Sequence, residues 1–264
     1  MNGVLVDLTK CIGCGSCTVA CKMYNKNEWI EDKKPTDGEN AVLADENWSV
    51  VRKCNVTDKD GQEVWRFVKQ QCLHCKDPAC VSACPSRAFQ TTPSGAVLYY
   101  PANCIGCRYC MIGCPFNIPK FEWDKTFPKI TKCMMCYDRS SNGEAPACVT
   151  VCPTNVMKFG DSDKLLEEAK EIIAKDKKYV EHIFGEKEAG GTNWIYISDV
   201  PFEELGFRTH VPKQSLPEYT AKFMHRSPIV GGIWGIILAG LYFITRRNDV
   251  KAAEKKEKTT EPEA

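Results

Sequence analysis

An α+β fold of tandem cysteine-rich modules, ending in a single membrane-crossing helix, is predicted by three features of the 264-residue sequence. Sixteen of its 17 cysteines fall into four blocks of four. The blocks repeat in alternation, with short strand-like and helix-like segments between them. An uncharged apolar run lies near the C-terminus. The rest of the composition is that of a globular chain, with 43% hydrophobic residues and a formal net charge of +1.

The chain opens on a strand-like Val4-Leu5-Val6-Asp7-Leu8. The first cysteine follows so closely that no N-terminal signal peptide is expected, and export would depend on a partner. Block one is Cys11, Cys14, Cys17 and Cys21, and a polar, charged stretch then runs from Asn25 to Asn47. Residues 48–54 and 63–69 alternate in polarity around Asp58-Lys59-Asp60-Gly61, which predicts a hairpin inside an insertion over 22–71. Cys54 belongs to no block and is expected to be a small buried apolar residue. Block two is Cys72, Cys75, Cys80 and Cys84; block three is Cys104, Cys107, Cys110 and Cys114; block four is Cys133, Cys136, Cys148 and Cys152. Blocks one and three open Cys-Ile-Gly-Cys, at Cys11 and Cys104, whereas blocks two and four carry Pro-Ala-Cys, ending at Cys80 and Cys148. Duplication of a two-block unit explains the alternation. Pro85, Pro115 and Pro153 follow the last cysteine of their blocks, where a fixed φ and a missing N–H turn the chain away; block one has Lys22 there.

After block four, Ser162 or Asp163 is expected to cap a helix whose Leu165, Leu166, Ala169, Ile172 and Ile173 recur at helical spacing. A strand over 194–197 follows, then an irregular, proline-punctuated stretch from Pro201 to Pro217 that reads as a surface-crossing arm. From Pro228 to Thr245 there are 18 residues without a charge. As a helix they would span about 27 Å, close to a hydrocarbon core of about 30 Å. Arg226 on one side and Arg246-Arg247 on the other sit at headgroup level, and Gly231, Gly232, Gly235 and Gly240 leave faces flat enough for another membrane helix. Basic residues are denser after the run, which places the C-terminal tail in the cytoplasm and the cysteine-rich part across the membrane. The expected organisation is therefore a cluster domain over 1–160, an extension and connecting arm over 161–226, a membrane helix over 227–246 and a disordered Lys/Glu tail over 247–264.

A [4Fe-4S] cube takes four soft thiolates, and a Cys-x2-Cys-x2-Cys loop wraps three of them around one cube while the next cysteine serves another. Block three, Cys-Ile-Gly-Cys-Arg-Tyr-Cys-Met-Ile-Gly-Cys-Pro from Cys104, follows this ferredoxin pattern without a gap. Four such blocks predict four [4Fe-4S] clusters in ferredoxin-like modules, and the simplest use of four cubes is a wire. An odd cysteine count and tight spacings argue against disulfides. A membrane-tethered structural zinc protein is the alternative of another class, but zinc sites lack the x2, x2, x3 series with a following proline. The negative charge of loaded cubes would make the protein acidic, which gives nucleic-acid binding no support. Glycine in Cys-Ile-Gly-Cys lets backbone N–H groups approach the sulfurs; such bonds, with charge and burial, set potentials within roughly −700 to +450 mV. Arg108, Lys120 and Lys132 lie near blocks and are expected as solvated surface charges, His74 as a hydrogen-bond donor and not a ligand, and His225 as an interfacial residue. No catalytic residue is predicted: no acid/base pair stands out, and iron-bound thiolates are not free nucleophiles. In two-cluster ferredoxins the fourth cysteine of each run serves the other block's cube. Spacing alone leaves two pairings open, a sequential one (one with two, three with four) and a nested one (one with four, two with three).

Together the four blocks, the Cys-Pro-Phe-Asn-Ile-Pro run at Cys114 to Pro119, Glu-Ala-Pro-Ala-Cys at Glu144 to Cys148, Gly190-Gly191-Thr192 and the terminal apolar run closely resemble the beta, iron-sulfur subunits of membrane-bound formate dehydrogenases of the N type. The iron-sulfur subunit of uptake [NiFe] hydrogenases of the 2 type is similar as well. The resemblance runs from about Val6 to Arg247. It implies nested pairing: Cys11, Cys14, Cys17 and Cys152 at cluster 1; Cys21, Cys133, Cys136 and Cys148 at cluster 2; Cys72, Cys75, Cys80 and Cys114 at cluster 3; Cys84, Cys104, Cys107 and Cys110 at cluster 4. It further implies a non-catalytic electron-transfer subunit with two partners. One is a large catalytic subunit, either a molybdopterin (molybdenum or tungsten) formate dehydrogenase or a [NiFe] hydrogenase. The other is a membrane cytochrome b that hands electrons to quinone. Complete blocks, where nitrate and dimethyl sulfoxide reductase relatives replace a cysteine, lean toward formate dehydrogenase, as does the missing signal peptide. A polysulfide-type reductase complex is the alternative running in the reducing direction. The short N-terminus departs from the longer leader of the resembled subunit.

Overall fold

The computed structural model describes residues 1–29, 34–58 and 61–259. Lys59 and Asp60, at the predicted hairpin tip, lie outside the described residues, as do 260–264 of the predicted tail. Met1–Pro217 forms one compact unit, and the chain from Glu218 onward forms another.

The first unit is built on strand β1 (Asn2–Asp7), helix α1 (Ser16–Asn25), strands β2 (Val50–Thr57) and β3 (Glu63–Gln70), strand β4 (Met157–Asp161), helix α2 (Ser162–Lys175) and strand β5 (Trp194–Ile197). Single-turn helices such as Ala79–Ser82, Tyr109–Ile112 and Ala147–Thr150 and two-stranded ladders of two or three residues fill the space between the cysteine blocks. β1 is the middle strand of a sheet in the order β5-β1-β4, parallel to β5 (Val4 opposite Trp194) and antiparallel to β4 (Val4 opposite Phe159). The N-terminal strand is thus clamped between the end of block four and the segment beyond it. Its side chains alternate between two cores, as strand pleating requires. Val4 and Val6 join Trp194 and Tyr196 in the main core, while Leu5 joins Ile195, Ile197, Leu165 and Ala169 in a second one under α2. Burying each of these branched or aromatic side chains contributes roughly 1.5–3 kcal/mol.

The predicted hairpin is present, with β2 antiparallel to β3 and Val51 opposite Lys69. The cap of α2 is Asp161, whose Oδ1 accepts from the N–H groups of Asp163 (3.2 Å) and Lys164 (3.3 Å). That corrects the expectation of Ser162 or Asp163: β4 runs straight into the helix, so the capping carboxylate is the last strand residue. A second difference is the stretch after Pro201. Val200, Phe202 and Leu205 are fully buried in the main core, and Phe184 packs against Phe202 (5.4 Å) and Phe207 (4.6 Å). Its apolar residues follow no helical or strand period, so the sequence pattern hides a plug that enters the core. Cys54 is half-buried, with Sγ 3.7 Å from the Leu205 carbonyl.

The second unit is the helix α3 (Leu216–Thr259), which carries Pro228 in its interior. It is long and apolar enough to cross a membrane, with a mean hydropathy of 1.8 in its best window, and its apolar side chains Ile229, Trp234, Ile236 and Phe243 are exposed. The polar side chains at the ends of the apolar run are satisfied within the helix, Ser227 donating to the Phe223 carbonyl (3.0 Å) and Thr245 to that of Leu241 (2.9 Å).

Candidate metal centres

Each cysteine block begins as a loop whose third residue takes a left-handed conformation. These residues are Gly13 (φ 71°), His74 (48°), Gly106 (69°) and Met135 (57°). The turn curls the chain so that backbone N–H groups face sulfur: Gly106 donates to Cys104 Sγ (3.4 Å) and Met135 to Cys133 Sγ (3.3 Å). At Gly13 a side chain would also collide with the Phe67 ring. Gly13→Ala is therefore expected to cost roughly 1–3 kcal/mol from the backbone alone and to loosen the first loop. Thermal unfolding of the loaded protein, with iron counted before and after, measures both effects.

The end of each block follows a second rule. The N–H four residues on donates to the last cysteine: Ala88 to Cys84 (3.2 Å), Ile118 to Cys114 (3.5 Å) and Val156 to Cys152 (3.4 Å). Proline after the cysteine makes that turn. Block one has no proline, so Cys21 lies inside α1, where backbone N–H groups serve the helix. Its donor is the side-chain amide of Asn25, again four residues on (Nδ2 to Sγ 3.5 Å).

Cys11, Cys14, Cys17 and Cys152 line one cavity. Cys21, Cys133, Cys136 and Cys148 line another. The other eight separate through the charges that act on them: Cys72, Cys114 and Cys80 act on Cys75, and Cys104, Cys84 and Cys107 act on Cys110. Electrostatic coupling between sets runs in one order. Cys148 acts on Cys17, Cys72 on Cys133, and Cys110 on Cys80.

Burial pushes the Cys11 thiol up to about 11 and those of Cys21, Cys80 and Cys110 to about 12, with neighbouring cysteines adding to the effect. Cys75 and Cys133 are raised well above the ordinary thiol value for the same reasons. Without a metal such thiols stay protonated at neutral pH, so loading them releases protons. Exposed Cys14 goes the other way, lowered by hydrogen bonds from the Ser16 side chain and backbone. At Cys84 burial is outweighed by hydrogen bonds from Phe89, Ser86 and Ala88, and its thiol is lowered too. An all-thiol donor set, enclosed walls and N–H groups aimed at sulfur suit a soft, multi-atom cluster. Among the described residues no three Cys, His, Asp or Glu side chains converge on a point that one ion would fill.

Charged and imidazole groups near the blocks differ from expectation at Lys132, at Lys120 and at His74, which accepts a hydrogen bond where a donor was expected. Lys132 is buried, not solvated, and its Nζ donates to the carbonyls of Val97 and Cys133. Arg108 is exposed and stacks on Phe121 (5.5 Å) and Trp123 (5.1 Å), while Lys120 is half-buried. His74 is fully buried, and its Nδ1 accepts the Val97 N–H (2.9 Å). Burial and the Lys132 charge hold its pKa well below the ordinary histidine value, so the ring is neutral with its hydrogen on Nε2. His225 is exposed on α3. Sequence reading passed over Lys69, which the structure buries between the first two cavities. The available signal was a lysine in an alternating strand directly before a cysteine block.

Residues 63–162 and residues 10–88 each match a family described as a 4Fe-4S dicluster domain. A protein of Nitratidesulfovibrio vulgaris is 42% identical over 96% of this chain and 69% of its own length. The hydrogenase-2 operon protein HybA of Escherichia coli O157:H7 is 31% identical over 93% of this chain and 84% of its own. The iron-sulfur subunit of the nitrate-inducible formate dehydrogenase of Escherichia coli K12 is 38% identical over 73% and 66%. With two dicluster regions, complete cysteine blocks and relatives of this kind, the chain binds four [4Fe-4S] clusters and belongs to the family of iron-sulfur electron-transfer subunits that includes HybA and the formate dehydrogenase iron-sulfur subunits.

Proposed function

We propose that this chain is a non-catalytic electron wire, held at a membrane between a catalytic subunit and a cytochrome b that serves quinone. The ligand sets of the reading are, in order, Cys11/Cys14/Cys17/Cys152, Cys21/Cys133/Cys136/Cys148, Cys72/Cys75/Cys80/Cys114 and Cys84/Cys104/Cys107/Cys110. One observation carries it. The sets couple electrostatically in one order, and the two exposed cysteines, Cys14 and Cys107, belong to the two terminal sets. Each bound cluster takes up and gives back one electron; the protein keeps the inner sets dry and opens only the ends.

The preferred catalytic partner is a molybdenum or tungsten formate dehydrogenase, where formate loses two electrons that then travel singly. The hydrogenase reading has its own support, because similarity to HybA extends over more of both chains than does similarity to the formate dehydrogenase subunit. Anaerobic purification from the native membrane decides between them: a co-purifying molybdopterin protein supports the first, a nickel-iron protein the second. About sixteen irons per chain are expected in the same material. Zinc in their place, with no visible absorption band, would end the electron-transfer reading.

The helix α3 is the membrane anchor of this proposal, with Arg246 and Arg247 on the cytoplasmic side and the cysteine-rich unit across the membrane. A chain truncated after Pro217 is expected in the soluble fraction, still iron-loaded, whereas the full chain requires detergent. External protease acting on intact spheroplasts, but not on inverted vesicles, should cut the cysteine-rich unit.

A further inference from the structure

Lys69, on β3, is fully buried, and its side chain lines both the cavity of Cys11, Cys14, Cys17 and Cys152 and that of Cys21, Cys133, Cys136 and Cys148. Its Nζ donates to Ser49 Oγ (2.6 Å) and Gln71 Oε1 (3.0 Å), both neutral, and stands 5.4 Å from the Trp194 ring centroid. Among the described residues no carboxylate forms an ion pair with it. A buried ammonium with only neutral hydrogen-bond partners is unfavourable unless negative charge lies close by. The negative charge available is sulfur: Cys148, Cys17 and Cys21 act on Lys69, and it acts back on Cys17, Cys21 and Cys136. Those sulfurs become thiolates when they hold a cluster, so the charge that balances the ammonium comes from the two cavities its side chain lines.

We propose that Lys69 is a fixed cation shared by the first two cluster sites, which stabilises their reduced forms and holds both potentials up together. The inference rests on the ligand sets proposed above. Reduction adds one negative charge to a centre, and in a water-poor interior a cation beside it favours that state more strongly than a solvated one would. Lys69 touches both cavities, so its field acts on two centres and leaves the more distant pair alone. Ser49 and Gln71 hold the ammonium in place; Lys69 is a positioning charge and exchanges no electron itself.

The test uses the whole membrane complex carrying K69M, K69Q or K69R, with iron per chain measured first and each centre then titrated by redox potentiometry followed by electron paramagnetic resonance. K69M and K69Q are expected to lower the reduced-to-oxidised ratio of two centres by about tenfold or more at a given potential, about 59 mV for a one-electron couple. The other two should not move, and K69R should restore the wild-type values. If K69M and K69Q fail to load while K69R loads fully, the cation is needed between the two sites and the proposal stands. It is overturned if K69M loads with unchanged potentials, if all four centres shift alike, or if K69R behaves as K69M does, including by losing its iron. Wild-type complex without four clusters would instead overturn the ligand sets on which the inference depends. K132M supplies a comparison, since Lys132 bonds to the Cys133 carbonyl and acts on Cys80; its effect should fall on a different pair.

Discussion

Cys133→Ser is expected to abolish accumulation of the loaded protein, while Cys107→Ser removes one centre and leaves the rest standing. Cys133 is buried where two sets meet, with Cys21, Cys148 and Cys72 all acting on it. Its loop places Met135, fully buried, in the main core with Trp194, Val6 and Leu8. Serine offers a hard oxygen with a much higher pKa, and a cube lost there leaves unfilled the space between β3, α1 and the strand that carries Trp194. Binding free energy lost with the metal is folding free energy lost. Cys107 is exposed, and beside it a side chain on Gly106 would meet nothing. Burial thus concentrates the sensitivity in the inner sets. Immunoblots of membranes and iron per purified chain check the contrast, with about twelve irons expected for Cys107→Ser against about sixteen for the parent. Wild-type levels of Cys133→Ser protein with three intact centres would show that the clusters do not hold this fold together.

How much of this was legible beforehand depended on whether the signal was local. The loops, the hairpin, α2 and the apolar helix each carry a short-range pattern of spacing or period, and each was readable. Asn25 shows the limit of such reading. Block one lacks the proline of the others, but nothing in its sequence says that a side-chain amide, at the same interval of four residues, takes over the role of the backbone N–H. Lys69 and Lys132 were misjudged or passed over for a related reason. Charge is normally a mark of the surface, and their burial follows from sulfur contributed by segments far apart in the chain. Phe202 and Leu205 were hidden because an irregular segment enters the core with no periodicity to announce it. The order of the sets also needed three dimensions, since it depends on which fourth cysteine crosses to which loop.

That crossing yields the other large effect. Cys152→Ser is expected to remove the same centre as Cys14→Ser, and Cys84→Ser the same as Cys107→Ser. In the structure Cys152 lines the cavity of block one, and Cys84 acts on Cys110 of block three. Mutations at one site are not additive, because a centre can be lost only once. The double variant Cys14→Ser/Cys152→Ser should therefore lose about four irons, no more than either single variant, and so should Cys84→Ser/Cys107→Ser. Cys14→Ser/Cys107→Ser, which strikes both ends, should lose about eight. Sequential pairing reverses the arithmetic: Cys152 would then serve block three and Cys84 block one, so each of the first two double variants would lose about eight irons. None of the four positions is fully buried, so the inner sets that hold the core are left in place. Iron analysis with counted paramagnetic signals on reduced protein thus separates the two pairings directly, and a loss of about eight irons from Cys14→Ser/Cys152→Ser would overturn the ligand sets proposed above.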